Sequence, residues 1–272
     1  MRIQELWSRN DEQLLNDFGR FVATDDLTGA LLSLGDASSE ERVAARAQLA
    51  AWGGLISSNL PVGDASAQAV ALSRLISVEL GFAIDETSSG ESIDLARVLE
   101  RRRGHAVILS SIYREVAADA GLTAEIVALP GKLLVRIGLD SQAFLDPALG
   151  RPLGEEEVRA MLLSAKGLAY DPSLLRGSSV AEVLGRALKF TANHHASSGD
   201  LVGLYRALSF AAVVRPDRPA ARLQQAAVAE ELGARELAED AYRAVAHDFP
   251  NTEASEVAAL RLRVSRSPSL VQ

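Results

Sequence analysis

The side chains that could do chemistry in this chain are few, and none of them is a cysteine. Disulfides, thiolate metal sites and a thiol nucleophile are therefore excluded. The remaining nucleophile of interest is Ser110, with His105 or Lys132 as its base, which would be amide or ester chemistry. Equally open is a serine that hydrogen-bonds its own helix, as serines inside helices do. His105 can orient a ligand, pair with Asp146, or simply end a helix. The run Arg101, Arg102, Arg103 precedes a helix start, where positive charge opposes the dipole. Glu100 or Asp146 can compensate it, or an anionic ligand or acidic peptide can, since arginine forks suit carboxylates. His194 and His195 are adjacent, the wrong spacing for two metal ligands on one helix face. Asp85, Glu86, Glu91 and Asp94 lack the glycine and the ligand spacing of a calcium loop. The expectation is no metal and no cofactor.

These residues need elements to position them. The central stretch Leu95–Leu153 is the most structured in pattern. Leu95, Val98 and Leu99 mark a short helix. Gly104 then interrupts, and about 105–120 forms a helix apolar most of the way round, which is the mark of a buried helix. Strands are expected at 124–129 and 132–137, joined by the turn dipeptide Pro130-Gly131, and at 142–145 after a turn at 138–141. A helix follows at 155–163 and a linker at 167–179. One central helix against an antiparallel meander is an α+β arrangement.

The flanks read as helices. Asp11 is expected to cap a helix carrying Leu14, Leu15, Phe18 and Val22. A second starts at Ser38 or Ser39, with Val43, Ala44, Ala47, Leu49 and Leu55 as its apolar face, and is broken at Asn59-Leu60-Pro61. A third, about 64–80, carries Val70, Leu72, Leu75, Ile76 and Leu80. From Val180 onward only helices are visible. Gly199 and Gly233 are 34 residues apart, and so are Pro216 and Pro250. That is the tetratricopeptide period, although Arg222 stands where the motif has a large aromatic. Helices are expected near 181–196, 200–214, 218–231, 235–248 and 252–265. The division expected is 1–90 as a helical region packed on the core, 91–170 as the core, and 180–268 as helical repeats.

In order, Arg102-x-Gly104, the buried helix ending at Gly121-Leu122, Pro130-Gly131 before Leu133-Leu134-Val135-Arg136, and Leu145-Asp146-Pro147 with Gly150 resemble the bacterial SirB-type family. That family joins a transglutaminase-like, papain-like domain to tetratricopeptide repeats. The resemblance spans about residues 60–265. It implies a fold in which a Cys at the buried helix's start, a His on the next strand and an Asp form a triad. The corresponding positions here are Ala106, Lys132 and Asp146, so a degenerate, catalytically vacant site is implied. Two functions stay open. One is a non-catalytic scaffold that binds a protein or peptide, with Arg102, Arg103, His105 and Ser110 as binding candidates. The other is an amide hydrolase or transferase using Ser110.

Composition limits the partners. The 272 residues carry a formal charge of -8 and 48% apolar residues, with few aromatics. Such a chain repels phosphate backbones, so nucleic acid is not an expected partner. No apolar run approaches the ~18 residues of a membrane span, and the first residues show no apolar signal segment. A cytoplasmic protein, with a homodimer as an option, is the expectation.

Overall fold

The computed structural model describes residues 9–35, 37–57, 60, 63–87, 89–139, 141–166 and 172–266. Asn59, Pro61 and residues 167–171, which the expected helix break and linker include, lie outside them. The described chain divides into two units. One runs from Ala23 to Ala187. The other joins the first helix, through Val22, to everything from Leu188 onward. This differs from the division expected. Residues 23–90 belong to the same unit as the sheet, and the first helix belongs with the C-terminal helices.

The Ala23–Ala187 unit begins with α2 (Leu27–Leu34) and α3 (Ser39–Ser57). In chain order the next helix is α4 (Ala65–Ser73), which widens into a π-helix over Arg74–Glu79. A short parallel pair, β1 (Ala83–Ile84) and β2 (Arg103–Gly104), brackets α5 (Leu95–Arg101). The buried helix is α6 (Ala106–Asp119). Four antiparallel strands follow in sequence order: β3 (Ala124–Leu129), β4 (Lys132–Ile137), β5 (Ala143–Asp146) and β6 (Arg151–Leu153). Helix α7 (Glu155–Lys166) and a 3-10 turn at Pro172–Leu175 complete the run before α8 (Val180–Ser198).

The layers follow from burial. Val107, Ile108, Leu109, Ile112, Tyr113, Val116 and Ala117 of α6 are at most 1% exposed. Helix α3 packs on α6, and α6 packs on β3 and β4. Val127, Leu129 and Leu134 point to the other face, where Val158 and Leu162 of α7 cover them. Pro130 fits the first corner of the β3–β4 turn. Gly131, at φ +74°, supplies the left-handed second corner that brings Leu129 and Lys132 into register. The far edge of β3 is not bare: Ser178 N–H donates to the Ile126 carbonyl at 2.7 Å and its hydroxyl accepts from Ala128 N–H at 3.1 Å.

The second unit holds α1 (Arg9–Ala23), α9 (Leu201–Val214), α10 (Ala220–Glu231), α11 (Arg235–Asp248) and α12 (Glu253–Arg266). From α9 to α12 each helix packs on the next. Tyr205, Leu208, Ala226, Ala229, Ala238, Tyr242, Val245 and Ala258 make one core. Asp11 does not cap α1. It lies inside the helix and pairs with Arg206 of α9. No described helix is long and apolar enough to cross a membrane.

The apolar face expected on α3 is corrected. Val43 and Leu55 are 69% and 62% exposed, while Ala45, Leu49, Trp52, Gly53 and Ile56 are buried. Gly53 sets the approach to α6. A Cβ there would meet Asp119 Cβ at 2.4 Å and the Asp119 carbonyl carbon at 2.8 Å. The Gly53→Ala variant should therefore push α3 off α6, with a stability loss of about 1–3 kcal/mol in urea unfolding. The neighbouring Gly54→Ala, which meets nothing within 4 Å, should be neutral or slightly stabilising.

Candidate functional site

The start of α6 is held from three sides. Gly104 accepts from Asp85 N–H at 2.9 Å, and His105 N–H donates to the Ser92 carbonyl at 2.8 Å. His105 has extended backbone angles and is the N-cap; its Nδ1 accepts from Val107 N–H at 3.3 Å. Its carbonyl accepts from Ile108 and Leu109 N–H, which closes the first turn. Ala106, half-buried, is the first helical residue. Burial holds the His105 pKa below the ordinary histidine value, and a neutral ring is what an accepting Nδ1 requires.

Ser110 lies one turn further in and is fully buried. Its hydroxyl donates to the Ala106 carbonyl at 2.7 Å. Ser111 repeats the pattern with Val107 at 2.8 Å. Both hydroxyls are spent on their own helix.

Lys132 and Asp146 are brought together. The register that sets Val135 opposite Leu145 brings Asp146 to the end of β5, beside the start of β4. Lys132 Nζ donates to Asp146 Oδ2 at 2.7 Å; the carboxylate side chain is 2% exposed and the lysine 43%. Asp146 Oδ1 accepts from Ala148 N–H at 2.9 Å and Leu149 N–H at 3.2 Å. The carboxylate thus serves an ammonium and the turn that leads to β6. Its charge reaches the Tyr113 hydroxyl on α6, and that of Lys132 reaches Glu157 on α7. The pair sits at one end of the sheet. Beside it, Tyr113 and Ser77 share a hydrogen bond of 2.7 Å, and Ser73 donates to the Gly150 carbonyl at 2.6 Å. Burial raises the Tyr113 pKa.

The arginine run is compensated differently from expectation. Arg101 pairs with Glu91 and lies 4.0 Å from Asp85 Oδ2. Glu100 instead pairs with Arg97, and Asp146 with Lys132. Arg102 adopts left-handed angles as the C-cap of α5. Its guanidinium stacks over Trp52 and Phe82, 4.6 and 4.7 Å from the ring centroids. Its Nη1 is buried without a hydrogen-bond partner among the described residues. Burial lowers its pKa. Arg103 is exposed. Trp52 and Phe82 form an edge-to-face pair with centroids 5.6 Å apart; they lie far from Arg102 in sequence, and no local pattern joins the three.

The other candidates have local duties. Asp85 accepts from Thr87 N–H at 2.9 Å and from its hydroxyl. Asp94 caps α5 through Ala96 N–H at 2.9 Å. His195 Nδ1 lies 2.9 Å from Asp200 Oδ2. Among the described residues no group of three or more His, Cys, Asp or Glu could hold a metal.

Residues 42–189 match the family model of the transglutaminase-like superfamily. The match covers more than half of the chain, so the chain belongs to that superfamily. No curated protein and no solved structure matches it significantly.

Two outcomes test the site's construction. Asp146→Ala removes a buried carboxylate that accepts three hydrogen bonds and should cost about 2–3 kcal/mol. Lys132→Met leaves the nearly buried carboxylate its two amides but no cation and should cost about 1–2 kcal/mol, less than Asp146→Ala. Equilibrium urea unfolding of both variants measures the asymmetry. For His105, the unfolded chain takes up its proton near pH 6.5 and the folded chain only at lower pH. Below that value the unfolded state binds more protons, so stability should fall as pH drops. His105→Asn keeps a capping acceptor without titrating. The slope of stability against pH below 6.5 should be shallower in that variant.

Proposed function

We propose that this member of the transglutaminase-like superfamily is non-catalytic and binds a protein or peptide partner. The observation that carries the reading is the Lys132–Asp146 ion pair. The triad implied by the resemblance needs an acceptor nitrogen beside an orienting carboxylate. An ammonium held in an ion pair has no lone pair with which to take a proton. Ala106, at the implied nucleophile position, brings only a methyl group. Even a free base would find no thiol, since the chain has no cysteine, and loss of a triad nucleophile removes most of the rate enhancement. Ser110 offers no substitute, because its hydroxyl is buried and already donates to the Ala106 carbonyl.

The finer reading is a SirB-type protein of the cytoplasm whose C-terminal helices are tetratricopeptide-like. Its support is the 34-residue spacing of Gly199 and Gly233 and the consecutive packing of α9 to α12 around Ala226, Ala238, Tyr242 and Val245. Exposed Arg103 favours a peptide with acidic side chains.

The test pairs reactivity with binding. A fluorophosphonate probe should leave the native protein unlabelled. Acidic peptides selected from a displayed library should bind it and lose about tenfold in affinity, roughly 1.4 kcal/mol, in the Arg103→Glu variant. Labelling that disappears in Ser110→Ala would replace this reading with a serine hydrolase.

A further inference from the structure

The edge of the four-stranded sheet stops early. Strand β6 runs beside β5 only from Phe144, opposite Leu153, to Asp146, opposite Arg151. At Gly154 the chain leaves the sheet to start α7, so Gln142 and Ala143 have no strand beside them on that side. Helix α4 packs on β5 and β6, and Val158 of α7 packs against the sheet. The two helices flank the gap without filling it. A cavity of about 760 Å³ remains there, a size in the range of small-molecule sites, roughly 300–1,000 Å³.

The walls are largely apolar, with Val70, Phe144, Pro152, Leu153 and Leu175 on them. Val70 is 56% exposed. An added strand does not suit this edge. Pro152 has no N–H to give, and its carbonyl already accepts from Arg151 Nη1 at 3.0 Å.

The polar groups of the wall select what does suit it. Gln142 spends an amide N–H on the Leu139 carbonyl at 3.0 Å, which leaves its oxygen to accept. Glu157 holds the start of α7, accepting from Gly154 N–H at 2.9 Å and from Arg151 Nη2 at 2.7 Å. Glu155 has neither duty. It is exposed on the cavity wall and has no hydrogen bond or ion pair among the described residues. Arg159 also lines the cavity and is engaged in an interaction of its own. An apolar cavity whose open amide and carboxylate oxygens only accept, one of them anionic, is complementary to a ligand that donates and carries positive charge.

We propose that this cavity binds a small organic cation, an ammonium or guanidinium group on an apolar body. Glu155 takes the charge, and Val70, Phe144 and Leu153 take the hydrocarbon. The cavity lies at the opposite end of β5 from Asp146, and the proposal does not depend on how the transglutaminase-like site is read.

Three probes of one shape separate the contributions: 4-phenylbutylamine, 4-phenylbutanol and 4-phenylbutyrate. In NMR titrations of the full chain, the amine should bind and shift the amide signals of Gln142, Phe144, Leu153 and Glu155. The alcohol should bind several-fold more weakly, by the loss of one exposed ion pair, and the carboxylate more weakly still. Glu155→Gln should bring the amine down to the affinity of the alcohol and leave the alcohol unchanged. Val70→Trp should fill the cavity and remove the binding of both, at an unchanged melting temperature, because the side chain is mostly outside the core. An amine that does not bind, a carboxylate that binds as tightly as the amine, amine binding untouched by Glu155→Gln, or binding that survives Val70→Trp would overturn the proposal.

Discussion

The burial of α6 is the constraint on which the transglutaminase-like unit depends. Seven of its side chains have essentially no contact with water. Burying large aliphatic side chains contributes roughly 1.5–3 kcal/mol each, so neither α3 nor the sheet can withdraw without a large loss. Every polar group that travels with the helix must then find a partner indoors. Ser110 and Ser111 turn back on their own carbonyls, and Tyr113 reaches Ser77. What would be a nucleophile's neighbourhood in an exposed turn is here an internal hydrogen-bond account that is already closed.

The same constraint explains the helix start. A buried helix leaves its first amides without partners unless a cap supplies them. His105 does so through a neutral ring nitrogen. The positive charge ahead of it is diverted rather than left at the dipole. Arg101 turns to Glu91, and Arg102 folds onto Trp52 and Phe82. The left-handed conformation of Arg102 ends α5 and sends its side chain toward those rings.

What was legible in the sequence had a strong local cause. Pro130-Gly131 fixes a tight turn, so β3 and β4 fall at the expected residues, and the helices from α9 to α12 start and stop within two residues of the expected bounds. The pairing of Lys132 with Asp146 follows from a lysine beside a core needing an anion. On α3 the expected face shares only Leu49 with the buried one, because large apolar residues lie on both sides of the helix: Leu49, Trp52 and Ile56 face inward with Gly53, while Val43 and Leu55 face outward. Strands β1, β2 and β6 have two or three residues each, too few for an alternation to register. Helix α2 is buried nearly all round, Thr28 and Ser33 included, and shows no period. The aromatic stack on Arg102 joins residues distant in sequence, which no local pattern reports.

Asp146 has a duty in the fold that is independent of any chemistry. Its two amide bonds close the turn that carries the chain from β5 to β6, and the Gly150 N–H donates back to its carbonyl at 2.8 Å. None of these contacts involves a reacting group. Replacing Asp146 would take the side-chain acceptor from two turn amides whether or not a nucleophile is present. Ala106 and Lys132 have no comparable backbone duty. On the proposed reading, the carboxylate is retained by the turn it builds. Lys132 then neutralises a charge that the fold requires and that no imidazole is present to share.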